Sequence, residues 1–172
     1  MKKNILSTLG VLVFVAISAT SQAQSKTIVE VAVGSPNHTT LVTALKAADL
    51  VSTLQGAGPF TVFAPTNDAF NKLPEGTVAS LLKPESKAKL TSILTYHVVS
   101  GKLMAKDVIS AINKGKGKAV LTTVQGGKLT ATLEGSKVKL TDEKGGSAYV
   151  TMTDLGATNG VIHAIDSVVM PK

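Results

Sequence analysis

No cysteine occurs anywhere in the 172 residues. That excludes disulfides, thiol nucleophiles, thiolate metal sites and lipid attachment at a lipobox cysteine. Arginine is absent as well, since all 18 basic residues are lysine. The planar fork that grips phosphate and guanine edges is therefore missing. There is no tryptophan, and the only aromatics are four Phe and two Tyr, too few for the stacking platforms of single-strand binders. Specific nucleic-acid recognition is not expected. The three histidines are far apart in sequence, and neither G-x-S-x-G nor H-E-x-x-H is present. Catalytic residues, metal ligands and cofactors are accordingly expected to be none.

What is present begins with an export signal. Lys2 and Lys3 form a basic start, Leu9 to Ile17 is apolar apart from Gly10, and Ser21-Gln22-Ala23 offers small residues where a signal peptidase reads. The apolar run is shorter than the roughly 20 residues that span a bilayer. The reading is a cleaved signal at 1–23 and a single domain at 24–172, with no transmembrane span after cleavage. The protein is then secreted or periplasmic. The remaining 149 residues are enough for a self-sufficient core without disulfides.

Net charge is +7, or about +5 without Lys2 and Lys3, and nine lysines fall between Lys102 and Lys144. A surface of this kind attracts acidic polymers.

Helix signals dominate the first half. Thr27–Val33 alternates imperfectly and fits a strand. Thr39 or Thr40 caps a helix with Leu41, Ala44, Leu45 and Ala48 on one face. Phe60–Ala64 is a β-prone run stopped by Pro65, and Thr66 caps a short helix with Asp68 in its first turn and Phe70 inward. Thr77 caps another short helix. Pro84 and Glu85 open a longer one, whose apolar face reads Leu90, Ile93, Leu94, His97. Val108, Ile109 and Ile112 mark a further helix beyond the Val98–Val99 strand. After the basic loop Lys114–Lys118 the period becomes two. Val120, Thr122 and Val124 alternate, Leu129, Ala131 and Leu133 share a face, and Gly135-Ser136 makes a hairpin turn. Ala148–Thr153 is a strand, and Val161–Met170 closes the chain as another. Asn159-Gly160 reads as a turn with positive φ. Helices first and strands later argue α+β.

Three stretches carry a family resemblance: F-T-V-F-A-P-T-N-D-A-F at Phe60–Phe70, L-T-Y-H-V-V-S-G-K-L at Leu94–Leu103, and N-G-V-I-H-A-I-D-S-V-V-M-P at Asn159–Pro171. In order, they resemble the signatures of the fasciclin-like domain, here as a single-domain secreted bacterial member. The resemblance implies a wedge of two β-sheets, about seven strands in all, with helices packed along one side. It also implies a short helix, not a strand, at the start. Phe63, Pro65, Thr66, Asp68, Phe70, Asn159, Gly160, His163 and Asp166 are the structural motif residues. Tyr96-His97 is the pair that the family links to adhesion. Asp154-Leu155 sits where the family carries an Asp-Ile tied to integrin binding in some animal members. Here the flanking Pro is missing, Leu replaces Ile and Gly156 replaces Met, so integrin recognition is not carried over.

His97 on an apolar face reads as a buried ring holding a backbone group. His163 shares a face with Val161 and Ile165 and reads as a core histidine, with Asp166 on the opposite face. The function these readings support is an exported, non-catalytic adhesion or matrix-binding module for cell-surface or extracellular polysaccharide or protein, with self-association left open. Two alternatives are an envelope small-ligand carrier or enzyme with a Tyr96/His97/Asp154 pocket, and lysine-driven capture of acidic polymers through the 114–118 loop.

Overall fold

The computed structural model describes residues 26–172. The expected signal at 1–23 lies outside the described residues. Seven strands form one continuous sheet in the order β2-β1-β7-β6-β5-β4-β3. They are β1 (Phe60–Pro65), β2 (Val98–Ser100), β3 (Lys118–Thr122), β4 (Lys128–Glu134), β5 (Lys137–Thr141), β6 (Ser147–Ala157) and β7 (Gly160–Ile165). All pairs are antiparallel except β1 with β7. Strand β6 pairs with β5 over Ser147–Tyr149 and with β7 from Val150 onward, with register shifts after Val150 and Met152. These irregularities bend β6 so that it serves both limbs. The ends of the sheet meet where Val124 N–H donates to the Val98 carbonyl at 2.7 Å, and Val99 bridges Thr123. The expected seven-strand wedge with helices along one side is formed, its two limbs joined through β6 into one nearly closed sheet.

The three signature stretches are far apart in sequence but lie together, because β1 pairs with β2 on one side and β7 on the other. Parallel neighbours are buried on both faces and read as unbroken apolar runs. Strand β7 is buried at every position and β1 from Thr61 onward. On one side Val62, Ala64 and Ile162 pack against Ile28, Leu45, Phe70 and Leu94 from the helices. On the other, Phe63 and Ile165 face the interior of the folded sheet with Leu129, Leu140 and Ile112.

The helices are α1 (Ile28–Val33), α2 (Thr39–Ala47), α3 (Val51–Leu54), α4 (Asn67–Asn71), α5 (Thr77–Leu81), α6 (Lys87–Tyr96) and α7 (Ala105–Lys114). The first six supply the helical side. Helix α7 instead sends Val108 and Ile112 into the second core. The opening segment is a helix because Thr27 and Glu30 cap it reciprocally: Glu30 accepts from Thr27 N–H at 2.7 Å and Thr27 Oγ1 accepts from Glu30 N–H at 3.4 Å.

Several expectations need correction. Neither Thr39 nor Thr40 caps α2. Asn67, across from it, accepts from Thr40 N–H at 3.0 Å and donates to the Pro36 carbonyl at 3.0 Å. Gly76, in a left-handed conformation, precedes α5 in place of Thr77, and Pro84–Ser86 is a 3₁₀ turn ahead of α6. In β3 the alternation buries Ala119 and Leu121 and exposes Val120, and Val124 just beyond it is exposed too. Strand β7 ends at Ile165, not Met170. Asn159 and Gly160 do not have positive φ. Gly160 is needed because a Cβ there would lie 1.9 Å from the Phe60 carbonyl oxygen.

Candidate functional site

The Tyr96-His97 pair ends α6 and enters β2. Both side chains are fully buried. His97 Nδ1 lies 2.8 Å from the Ile93 carbonyl, and Val169 N–H points at Nε2 from 3.3 Å. A carbonyl only accepts and an N–H only donates, so the proton sits on Nδ1 and Nε2 is the acceptor. The ring is neutral, and burial pushes its pKa down to about 4. It stitches the last turn of α6 to the C-terminal segment. That segment is also held by Asp142, whose Oδ2 accepts from Met170 N–H at 2.9 Å while Oδ1 accepts from Lys144 and Gly146 N–H. Val169 and Met170 are therefore tied down by side chains and not by a strand ladder.

Tyr96 points into the second core. Its hydroxyl donates to the Lys128 carbonyl at 2.6 Å and accepts from Glu143 N–H at 3.3 Å. Burial raises its pKa, and the Glu143 N–H bond opposes the rise. Gly127 allows this close approach, because a Cβ there would meet Tyr96 Cε2 at 2.7 Å.

Asp154 sits at the β6 irregularity with φ 59°, a conformation Asp tolerates better than most residues. Its Oδ1 accepts from Ala105 N–H at 2.8 Å, capping α7. Its own N–H donates to His163 Nδ1 at 3.2 Å. His163 Nε2 donates in turn to the Leu103 carbonyl at 2.7 Å. Leu103 N–H donates to Thr61 Oγ1 at 2.8 Å. This chain of bonds fastens β1, β7, the bent β6 and the start of α7 to one another. Leu155 is half-buried and packs on the helical core.

The other signature residues have equally internal tasks. Phe63 stacks on His163 with ring centroids 5.7 Å apart. Pro65 pairs with Ile165 at the end of the parallel ladder. Thr66 accepts from Ala69 N–H at 3.3 Å and caps α4, Asp68 lies in the first turn, and Phe70 is buried. Asn159 accepts from Ile28 N–H at 3.0 Å and donates to the Leu54 and Gly56 carbonyls at 2.7 and 2.9 Å. Asp166 does not pair with His163. It accepts from Tyr149 N–H at 2.8 Å and meets Lys72 Nζ at 3.4 Å. Burial works to raise its pKa, but the Tyr149 N–H, the Ser167 hydroxyl and Lys72 hold it below the usual range.

Tyr96, His97 and Asp154 do not open into one cavity, so the expected alternative of a pocket built from them is not formed. A small apolar cleft is lined by Phe63, Val108, Val150 and His163, and neither it nor the next two involves Tyr96, His97 or Asp154. One cleft of about 550 Å³ is lined by Thr66, Asn67, Asp68, Lys72, Met152 and Asp166. Another, about 160 Å³, is lined by Lys89, Ser92, Lys144 and Pro171. Among the described residues no cluster of three His, Asp or Glu is placed to hold a metal ion, and no helix is long and apolar enough to cross a membrane.

Sequence reasoning missed Asn67, Asp142 and His38. Asp142 is followed by Glu-Lys-Gly-Gly, a turn signal that carries the local half of its role. Nothing in the sequence marks His38, which is buried and bonded through Nδ1 to Ser35 Oγ at 2.8 Å. Burial lowers its pKa, with the Ala64 carbonyl opposing.

The family model described as Fasciclin domain matches residues 36–171. The chain is 49% identical over 155 residues to protein sll1483 of Synechocystis, covering 90% of this chain and 79% of that protein. It is 38% identical over 159 residues to the immunogenic protein MPB70 of Mycobacterium bovis, covering 89% and 74%. Among solved structures, a domain pair from the insect cell adhesion molecule fasciclin I matches with a TM-score of 0.75 at 19% identity, over 84% of this chain and 51% of that one.

Proposed function

This chain belongs to the fasciclin domain family, and from that premise we propose that it is an exported, non-catalytic binding module. It attaches to polysaccharide or protein of the cell envelope or extracellular matrix. One observation carries the reading: the buried Tyr96-His97 pair and His163 spend their polar atoms on backbone groups of the same chain, and the exposed Asp154 commits one carboxylate oxygen to the Ala105 N–H. A general acid or base has to reach a substrate proton, and these groups face carbonyls and N–H groups instead. Recognition then falls to the exposed surface. The amino-terminal signal at 1–23 supports export, and release into periplasm or medium puts that surface next to envelope polymers.

Co-sedimentation of the purified protein with washed cells and with isolated envelope material, across a salt series, tests the proposal. Saturable binding at low and moderate salt is the expected result. Absence of binding to every envelope fraction would remove the adhesion reading. Binding unrelated to any fraction's polymer content, with turnover of an envelope metabolite, would replace it with an enzyme.

A further inference from the structure

The outer face of the β3–β6 limb carries residues that the core does not use. Alternation sends Ala119, Leu121, Leu129, Ala131, Leu140 and Ala148 inward, where all are buried. The helix beside β3 and β4, α7, lies on that inner side. On the opposite side the strand registers build cross-strand rows. Lys118 pairs with Thr132, Thr132 with Lys139, and Lys139 with Tyr149. Alongside, Val120 pairs with Thr130, Thr130 with Thr141, and Thr141 with Ser147. Thr122 opposite Lys128 begins a third row, and Lys137 opposite Glu134 flanks the first. Four lysines therefore share this face with one glutamate.

We infer that this outer face of β3–β6 is a binding surface for an anionic polysaccharide, a polymer of uronate or sulfated sugars lying across the strands. The inference rests on the adhesion reading and names its surface and ligand class.

Charge complementarity is the first argument. Lys118 and Lys139 stand two strands apart, about 10 Å at the usual strand spacing, so successive anionic sugars along one chain reach both. The second argument is the residues between them. Threonine and serine hydroxyls each donate and accept, which is what sugar hydroxyls require. The face exposes one aliphatic side chain, Val120, and no cluster of apolar anchors of the kind that dominates protein–protein contacts. It has no arginine fork for phosphate and a single aromatic, Tyr149, too few to stack bases. Glu134 accepts from the Tyr149 hydroxyl and sits 3.4 Å from Lys139 Nζ. It occupies, as an internal carboxylate, the position that a ligand carboxylate takes when bound.

Sodium alginate is the test polymer, immobilised and titrated with the purified protein. Neutral dextran and duplex DNA serve as comparison polymers. The variant Lys118→Gln/Lys139→Gln should weaken alginate binding on the order of tenfold. The pair Lys46→Gln/Lys83→Gln removes the same charge from exposed positions on the helical side and should change it by less than about twofold, because surface charges act over roughly one Debye length. Glu134→Gln should tighten binding, since it removes the competing carboxylate. Thermal melts establish that each variant is folded, and the gain expected of Glu134→Gln does not depend on a loss. Equal loss from both lysine pairs, or no loss from either, overturns the inference. Dextran bound as tightly as alginate overturns it too, as does DNA bound more tightly than alginate with the same dependence on Lys118 and Lys139. If wild-type protein sediments with envelope material and the face variants do so equally, this surface is wrong while the adhesion reading stands. If nothing sediments with envelope, the adhesion reading fails and alginate binding is judged alone.

Discussion

Histidine 97 shows how one residue links burial, hydrogen bonding and pH. Its neutral ring donates through Nδ1 to Ile93 and accepts through Nε2 from Val169. A second proton would turn Nε2 into a donor facing a donor. Burial lowers the folded pKa to about 4, whereas an exposed histidine titrates near 6.5. The unfolded chain therefore takes up the proton first. Stability is full above about pH 6.5 and falls as pH drops toward 4, by about 3 kcal/mol from this group. His38, whose pKa is also lowered by burial, acts in the same direction. Urea denaturation midpoints between pH 7.5 and 4.5 should fall with acidity, and His97→Gln should flatten that slope while lowering the midpoint at pH 7.5. A wild-type midpoint independent of pH across this range would contradict the assignment.

At the scale of elements, side chains replace the backbone ladder wherever the chain leaves a strand. Asn159 ties the start of α1 and the end of α3 to the β6–β7 turn through three backbone groups. Asn159→Ala leaves those groups unpaired, and stability should drop by roughly 2–4 kcal/mol. Hydrogen exchange should show α1 loosened before β1 and β7. Equal protection of α1 in wild type and variant would count against this role. The reasons that some elements were legible in sequence are visible at this scale. The β1 and β7 runs were clear because a strand buried on both faces has no polar positions. At Thr27–Val33 the alternation misled toward a strand, and only the family resemblance gave a helix, because the reciprocal cap of Thr27 and Glu30 was not read. Alternation alone did not say which face of β3 is buried, because Val120 and Val124 are β-prone but exposed, and Ala119 is small but buried. The end of β7 was missed because Val168–Met170 is apolar without being a strand. Its anchors, His97 and Asp142, are brought to it only by the fold.

For the whole molecule, three distant signatures become three neighbouring strands, and the fold follows from pairing them. That much was readable from their order. The internal use of Tyr96, Asp154 and His163 was not, because each partner lies on another element. Nor could periodicity place Lys118, Thr132, Lys139 and Tyr149 in one row, since that depends on the register of four strands. A polar framework of side-chain-to-backbone bonds holds the fold, and on the proposed reading the exposed sheet face meets the matrix.

The most direct test compares binding isotherms of wild type and Tyr96→Phe on isolated envelope material, under conditions where melts show both folded. Tyr96→Phe removes a hydroxyl bonded only to the Lys128 carbonyl and Glu143 N–H. It should lower stability by about 1–3 kcal/mol and leave the isotherm unchanged. A folded Tyr96→Phe protein that no longer binds would contradict the account, placing the Tyr-His pair at the contact itself.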